Sequence, residues 1–127
     1  MTGEVDLKAL IALIIRGGWP GSLGLPPEQA ALLPGAYLDA VIDDDVYRMD
    51  GVKRDTQKMR QLLRSLARNE STTATNKTLM RDIKAVDDED IDGNTVAAYL
   101  DIFQRLFLTD NQPPFSTGIR SSVRVKQ

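Results

Sequence analysis

The 127-residue chain contains neither cysteine nor histidine. Together those absences remove thiol nucleophiles, imidazole bases and the usual zinc ligands, so the commoner hydrolase and metalloenzyme constellations have nothing to build from. Long apolar runs are missing too. The stretch Leu7 to Ile15 is too short to span a bilayer, and the residues before it are acidic where a signal peptide would be basic. A soluble, cytoplasmic protein with no membrane partner is the expectation. Gly17-Gly18 is not followed by a Gly-Lys-Ser/Thr element, so it cannot hold the phosphates of ATP or a magnesium ion. No cofactor is expected, and no catalytic or metal-binding residues are assigned.

What is present describes a globular domain: 42% of the residues are hydrophobic and 27% charged, and the length suits one domain that buries its own core. The net charge of −2 conceals a sorting along the chain. Residues 1–52 and 85–118 are net acidic, whereas 53–84 and 119–127 are net basic. Such blocks mark compensating faces inside one fold, or steer a charged partner.

The most informative stretch is Asp92 to Leu108. Val96, Tyr99, Leu100, Phe103, Leu106 and Phe107 recur at the spacing of one helical face, and Asp92 reads as the N-cap. Upstream, Thr75 to Val86 is a shorter helix with Leu79, Met80 and Ile83 apolar and Thr75 or Asn76 as cap. The acidic turn Asp87 to Ile91 joins the two into a helix-turn-helix outline.

Earlier in the chain, Val5 to Arg16 predicts a helix so apolar that it is either largely buried or short of a neighbour to cover it. Gly17-Gly18 ends it, and Trp19-Pro20 opens a loop to Pro27, with the Trp as an aromatic plug. Glu28 to Leu33 forms a short helical turn, and after Pro34-Gly35 the stripe Tyr37, Leu38, Val41 and Ile42 runs to about Arg48. Three consecutive carboxylates, Asp43 to Asp45, cannot converge on one cation because adjacent helical residues diverge, so they read as a solvated helix end.

Lys53 to Asn69 predicts a long amphipathic helix with Met59, Leu62, Leu63 and Leu66 inward. Its other side carries Lys53, Gln57, Arg60, Arg64 and Arg68, a basic stripe that suits either a polyanion or the acidic blocks of the same domain. Pro113-Pro114 forbids helix, and Ile119 to Val125 has strand composition, with Phe107 to Thr109 as a possible partner strand. The fold class expected is therefore mostly α, a helical domain with a winged helix-turn-helix and a small C-terminal β-hairpin. Residues 1–52 form an N-terminal helical segment packing on a winged-helix-like region at 53–127. The strand that ends at Val125-Lys126-Gln127 is barely complete, which suggests a fragment of something longer.

The order of features resembles a known family. Arg16-Gly17-Gly18-Trp19-Pro20, Tyr37-Leu38, Asp45, Leu62-Leu63, Leu66-Ala67, Thr95-Val96, Tyr99-Leu100 and Leu106 to Leu108 follow one another as in a domain of unknown function. That domain lies after the ATPase module of predicted bacterial and archaeal AAA+ superfamily ATPases, and the resemblance covers most of residues 10–125. It implies a winged-helix-like segment downstream of a nucleotide-binding module, with the ATPase motifs lying outside this stretch. One departure is that an Arg-Asp pair usual near position 45 is here Asp44-Asp45.

Two functions follow as expectations. The preferred one is a non-catalytic accessory domain that mediates protein interaction or coupling, with the ATPase module of the same parent chain or another protein as partner. The alternative is a nucleic-acid-binding winged helix. For either, the candidate contacts are Lys53, Arg60, Arg64, Arg68, Asn94, Thr95, Arg105, Arg120, Arg124 and Lys126. The acidic turn ahead of the presumed recognition helix opposes tight binding to phosphate, so any nucleic-acid binding is expected to be weak.

Overall fold

The structure is a computed structural model, and it describes residues 5–113. The chain forms two compact units, Met1–Gly51 and Val52–Gln127. Both are helical, and among the described residues there is no strand.

In the first unit, α1 spans Leu7–Arg16 and starts where Asp6 Oδ1 accepts the Ala9 N–H at 2.7 Å. Gly17 ends the helix at φ 64°, a backbone setting that L side chains avoid. None of the ten residues of α1 is buried. Of the two outcomes open to so apolar a helix, this is the uncovered one. After it, the Arg16 guanidinium donates to the carbonyls of Ser22 and Leu25, both at 2.9 Å, and folds the Gly/Pro loop back on the helix end. Trp19 meets Tyr37 with ring centroids 4.9 Å apart.

Helix α2 is a single turn, Pro27–Ala30. From Leu33 to Asp50 the chain is helical without a break: α3 (Leu33–Ala40), a π turn (Val41–Asp45) and α4 (Val46–Asp50). Pro34 restarts rather than interrupts it, because in the first turn its missing N–H has no intrahelical partner to lose. The π turn is closed by the Val46 N–H on the Val41 carbonyl. Val41, Ile42 and Val46 are buried along it, while Asp43 to Asp45 are exposed. Gly51, at φ 71°, terminates α4 by donating to the Tyr47 carbonyl at 2.7 Å.

The second unit is built from α5 (Thr56–Arg68), α6 (Asn76–Asp87) and α7 (Gly93–Arg105). Each begins at a side-chain cap: Asp55 on Lys58 N–H, Thr75 on Thr78 N–H, and Asp92 on the N–H groups of Asn94 and Thr95. Asp55 therefore sets the start of α5 three residues later than Lys53. α6 packs between the other two, against α5 on one side and α7 on the other. Met59 and Leu62 from α5, Leu79 and Ile83 from α6, and Val96, Tyr99, Ile102 and Phe103 from α7 are buried, with Ile91 of the α6–α7 connector. Leu63, Leu66 and Leu100 are half-buried at the edge. Each large apolar side chain fully removed from water contributes roughly 1.5 to 3 kcal/mol, which is why the helices hold these faces together.

The expected wing does not form where it can be seen. Phe107 to Thr109, read as one strand of a hairpin, instead closes α7: the Phe107 N–H donates to the Gln104 carbonyl at 3.1 Å and the Leu108 N–H to the Phe103 carbonyl at 2.9 Å. Backbone donors used to satisfy the last carbonyls of a helix cannot also form a strand ladder. The other expected strand, Ile119 to Val125, lies outside the described residues, as do Arg120, Arg124 and Lys126. The mostly helical class holds, and among the described residues nothing supports the winged helix or the β-hairpin.

Candidate functional site

The basic stripe on α5 was the strongest sequence signal for a charged partner, and the structure divides it. Arg68 Nε and Nη2 both donate to Asp82 Oδ2 of α6, at 2.9 and 2.6 Å. Asp87 Oδ2 lies 4.0 Å from the same Nη2, enclosed and without a hydrogen bond of its own. The Arg68 hydrogen bond, with a further one from Ser65, holds the Asp82 carboxyl below its ordinary range, and Asp82 raises Arg68 in turn. Arg68 thus serves the α5–α6 contact. Arg60 is half-buried, whereas Lys53, ahead of α5, and Arg64 on it are exposed.

The acidic turn is similarly occupied by the fold. Lys84 Nζ lies 3.2 Å from Asp88 and 3.3 Å from Asp90, and these two carboxylates raise its pKa. Asp92 caps α7 through Oδ2 at 2.9 Å from the Asn94 N–H and 3.4 Å from the Thr95 N–H. Carboxylates that looked like repulsion at the head of a recognition helix are largely engaged in ending α6 and starting α7. Asn94 is exposed in the first turn of α7 and Thr95 half-buried beside it. Arg105 stands at the far end of the helix, 3.9 Å from Asp101 one turn back. The described members of the expected contact set are therefore scattered over unit 2 rather than gathered at one place.

A site that the sequence did not single out lies between the end of α5 and the exposed side of α7. Asn69 to Thr72 and Ala74 from the α5–α6 connector, Asn76 and Leu79 from α6, and Ala97, Leu100, Asp101 and Gln104 from α7 line a groove of about 590 Å³. Leu108 to Gln112, the segment after α7, close its remaining side. Leu66, Leu79, Leu100 and Leu108 give it apolar walls, and Asn69, Asn76, Gln104, Asn111 and Gln112 bring amides to it. Its charged lining residues are Glu70, Asp101 and Asp110, all acidic. A volume of this size is in the range of small-ligand and peptide pockets. No local spacing announces such a groove, because its walls come from five segments whose polar residues have no period.

Among the described residues no three carboxylates gather as a cation would require, so Asp43 to Asp45 stay a solvated stretch of helix in which Asp44 pairs with Arg48 at 2.9 Å. No described helix is long and apolar enough to cross a membrane.

Residues 7–127 match the family described as Domain of unknown function (DUF8612). The chain belongs to that family. DUF8612 membership spans both units and extends beyond the described residues to Gln127. The match names no activity and makes no reference to AAA+ ATPases. Neither a curated protein nor a solved structure matches the chain.

Proposed function

We propose that this DUF8612 chain is a non-catalytic accessory domain that binds and couples to another protein, and that its partner is the ATPase module of an AAA+ type protein. One observation carries the reading. Leu7, Leu10, Ile11, Leu13, Ile14 and Ile15 are all exposed on α1, with Leu7 and Ile14 at 72% and 71%. Between Lys8 and Arg16 the helix has no charge, so whatever covers it presents an apolar face. Each of these side chains gains roughly 1.5 to 3 kcal/mol on full burial, a driving force that a partner can use. The choice of an ATPase module rests on the order of features from Arg16 to Leu108, which resembles domains that follow such modules.

Calorimetric titration of the full chain against an AAA+ module, taken from a protein in which both parts are fused, tests the reading. Micromolar binding that is lost on Leu10→Asp with Ile14→Asp supports it. Absence of binding, or binding indifferent to both substitutions, overturns it. The exposed Lys53 and Arg64 favour a second and weaker reading, contact with the phosphates of a nucleic acid, which a salt-dependent titration separates from the first.

A further inference from the structure

We propose that the acidic groove of unit 2 binds a short extended segment of a partner protein, one that carries a lysine or arginine beside a leucine-like side chain. The inference stands apart from the reading of α1, because every described lining residue belongs to unit 2. The walls select for an apolar side chain. Leu66, Leu100 and Leu108 are only half-buried around the buried Leu79, so leucine surface stays in contact with water where a side chain of similar size would cover it.

Charge complementarity names the second requirement. Glu70, Asp101 and Asp110 are the charged side chains among the described lining residues, and no lysine or arginine joins them. Asp101 faces Arg105 at 3.9 Å, whereas Glu70 and Asp110 are exposed and have no cationic partner among the described residues. Helix ends add to the same sign. Both α5 and α7 finish at the groove, with Asn69 and Leu108 just past their last turns, and helix C-termini are electronegative; the opposing N-terminus of α6, at Asn76, is one end against two. The amides then favour a peptide over an isolated cation. Asn76, Gln104, Asn111 and Gln112 each offer a carbonyl acceptor and an NH2 donor, the complement of the main-chain N–H and C=O groups of an extended strand. A helical segment has those groups already paired and would leave the amides without partners. The groove volume of about 590 Å³ gives room for a few extended residues.

The test is selection of random short peptides displayed on phage against the full chain, followed by NMR titration of the isotope-labelled chain with the most enriched peptide. That peptide should carry a lysine or arginine within a residue or two of a leucine, isoleucine, methionine or phenylalanine. Its addition should shift the amide signals of Asn69 to Asn76, Gln104 and Leu108 to Gln112. Affinity should fall by about tenfold or more on Glu70→Lys with Asp110→Lys, which reverses the charge of the lining. Ala97→Trp, which fills the groove from an exposed position of α7, should lower it as much. All three substituted side chains are exposed, so both variants should keep the helical circular dichroism of the parent chain. No enriched sequence, enrichment without a basic residue, shifts confined to other residues, or affinity indifferent to the substitutions overturns the proposal. Two further titrations separate other occupants. Groove signals saturated by n-butylammonium as tightly as by the peptide would make this a site for small cations, and groove shifts on concentrating the chain alone would assign it to a second copy; either result displaces the partner peptide.

Discussion

Arg68 of α5 and Asp82 of α6 are joined through a single carboxylate oxygen, with Nη2 at 2.6 Å and Nε at 2.9 Å. Because the carboxyl pKa lies below its ordinary value of about 3.9, the charged pair stabilises the fold above that value, and the contribution fades as pH falls through the lower native pKa. Arg68 stays charged throughout this window, its own pKa being raised. Urea unfolding of the chain and of Asp82→Asn should therefore differ at neutral pH and converge as the medium is acidified below the ordinary carboxylate range. A gap that remains constant down to the lowest pH would assign the effect to packing instead.

Phe103 sits at 0% exposure among the three helices of unit 2, with Met59, Leu62 and Ile83 equally enclosed. Phe103→Ala should cost about 3 to 5 kcal/mol, since the cavity adds to the lost transfer energy. Denaturant unfolding measures it. A cost below about 1 kcal/mol would mean that the three-helix core collapses easily around the missing ring.

The two ends of α7 predict opposite signs. Asp92 caps the first turn, so Asp92→Ala should destabilise by about 1 kcal/mol. At the other end Phe107 occupies the left-handed position after the helix at φ 58°, where a side chain costs roughly 1 to 2 kcal/mol, and its ring is 94% exposed. Phe107→Gly should relieve that strain with little packing to lose, raising the denaturation midpoint. A lowered midpoint would show that the ring is buried by something in solution.

The position of Phe107 also shows what periodicity can and cannot read. Val96, Tyr99 and Phe103 were legible because helical spacing and burial agree along a continuous helix, and Asp92 and Thr75 because a short acceptor ahead of an apolar run has one local use. Counting three or four residues further placed Phe107 inward, but the helix stops at Arg105 and a positive φ turns the side chain out. The hairpin reading failed at the same place, since strand composition in Phe107 to Thr109 says nothing about backbone donors already committed to Phe103 and Gln104. Arg68 looked like part of a ligand-facing stripe because its partner is fourteen residues away, a tertiary fact outside any helical repeat. The groove was illegible for a related reason: its lining comes from five segments whose polar residues share no spacing. What the charge blocks did convey, compensation between a basic stretch and an acidic one, is realised in Lys84 with Asp88 and Asp90, whereas Arg68 and Asp82 both lie within the basic block.

Binding to duplex DNA is where the two functional readings part. Arg68 is exposed but tied to Asp82, so the other exposed cations of the stripe are Lys53 and Arg64, few for a phosphate-binding surface. Each phosphate contact removed should lower the slope of log affinity against log salt by about 1, and affinity at physiological salt should be weak and sequence-independent. Arg64→Ala should weaken what binding there is without changing stability, whereas Arg68→Ala should lower the unfolding midpoint through the α5–α6 contact. Asn94→Ala should leave binding unchanged, because α7 carries one basic residue, Arg105 at its far end, and so has no basic face to hold that side chain in a groove. A fluorescence titration over a range of salt concentrations reads all three variants. Tight binding to one duplex sequence, abolished by Asn94→Ala and indifferent to Arg64→Ala, would replace the protein-coupling reading with a sequence-reading one.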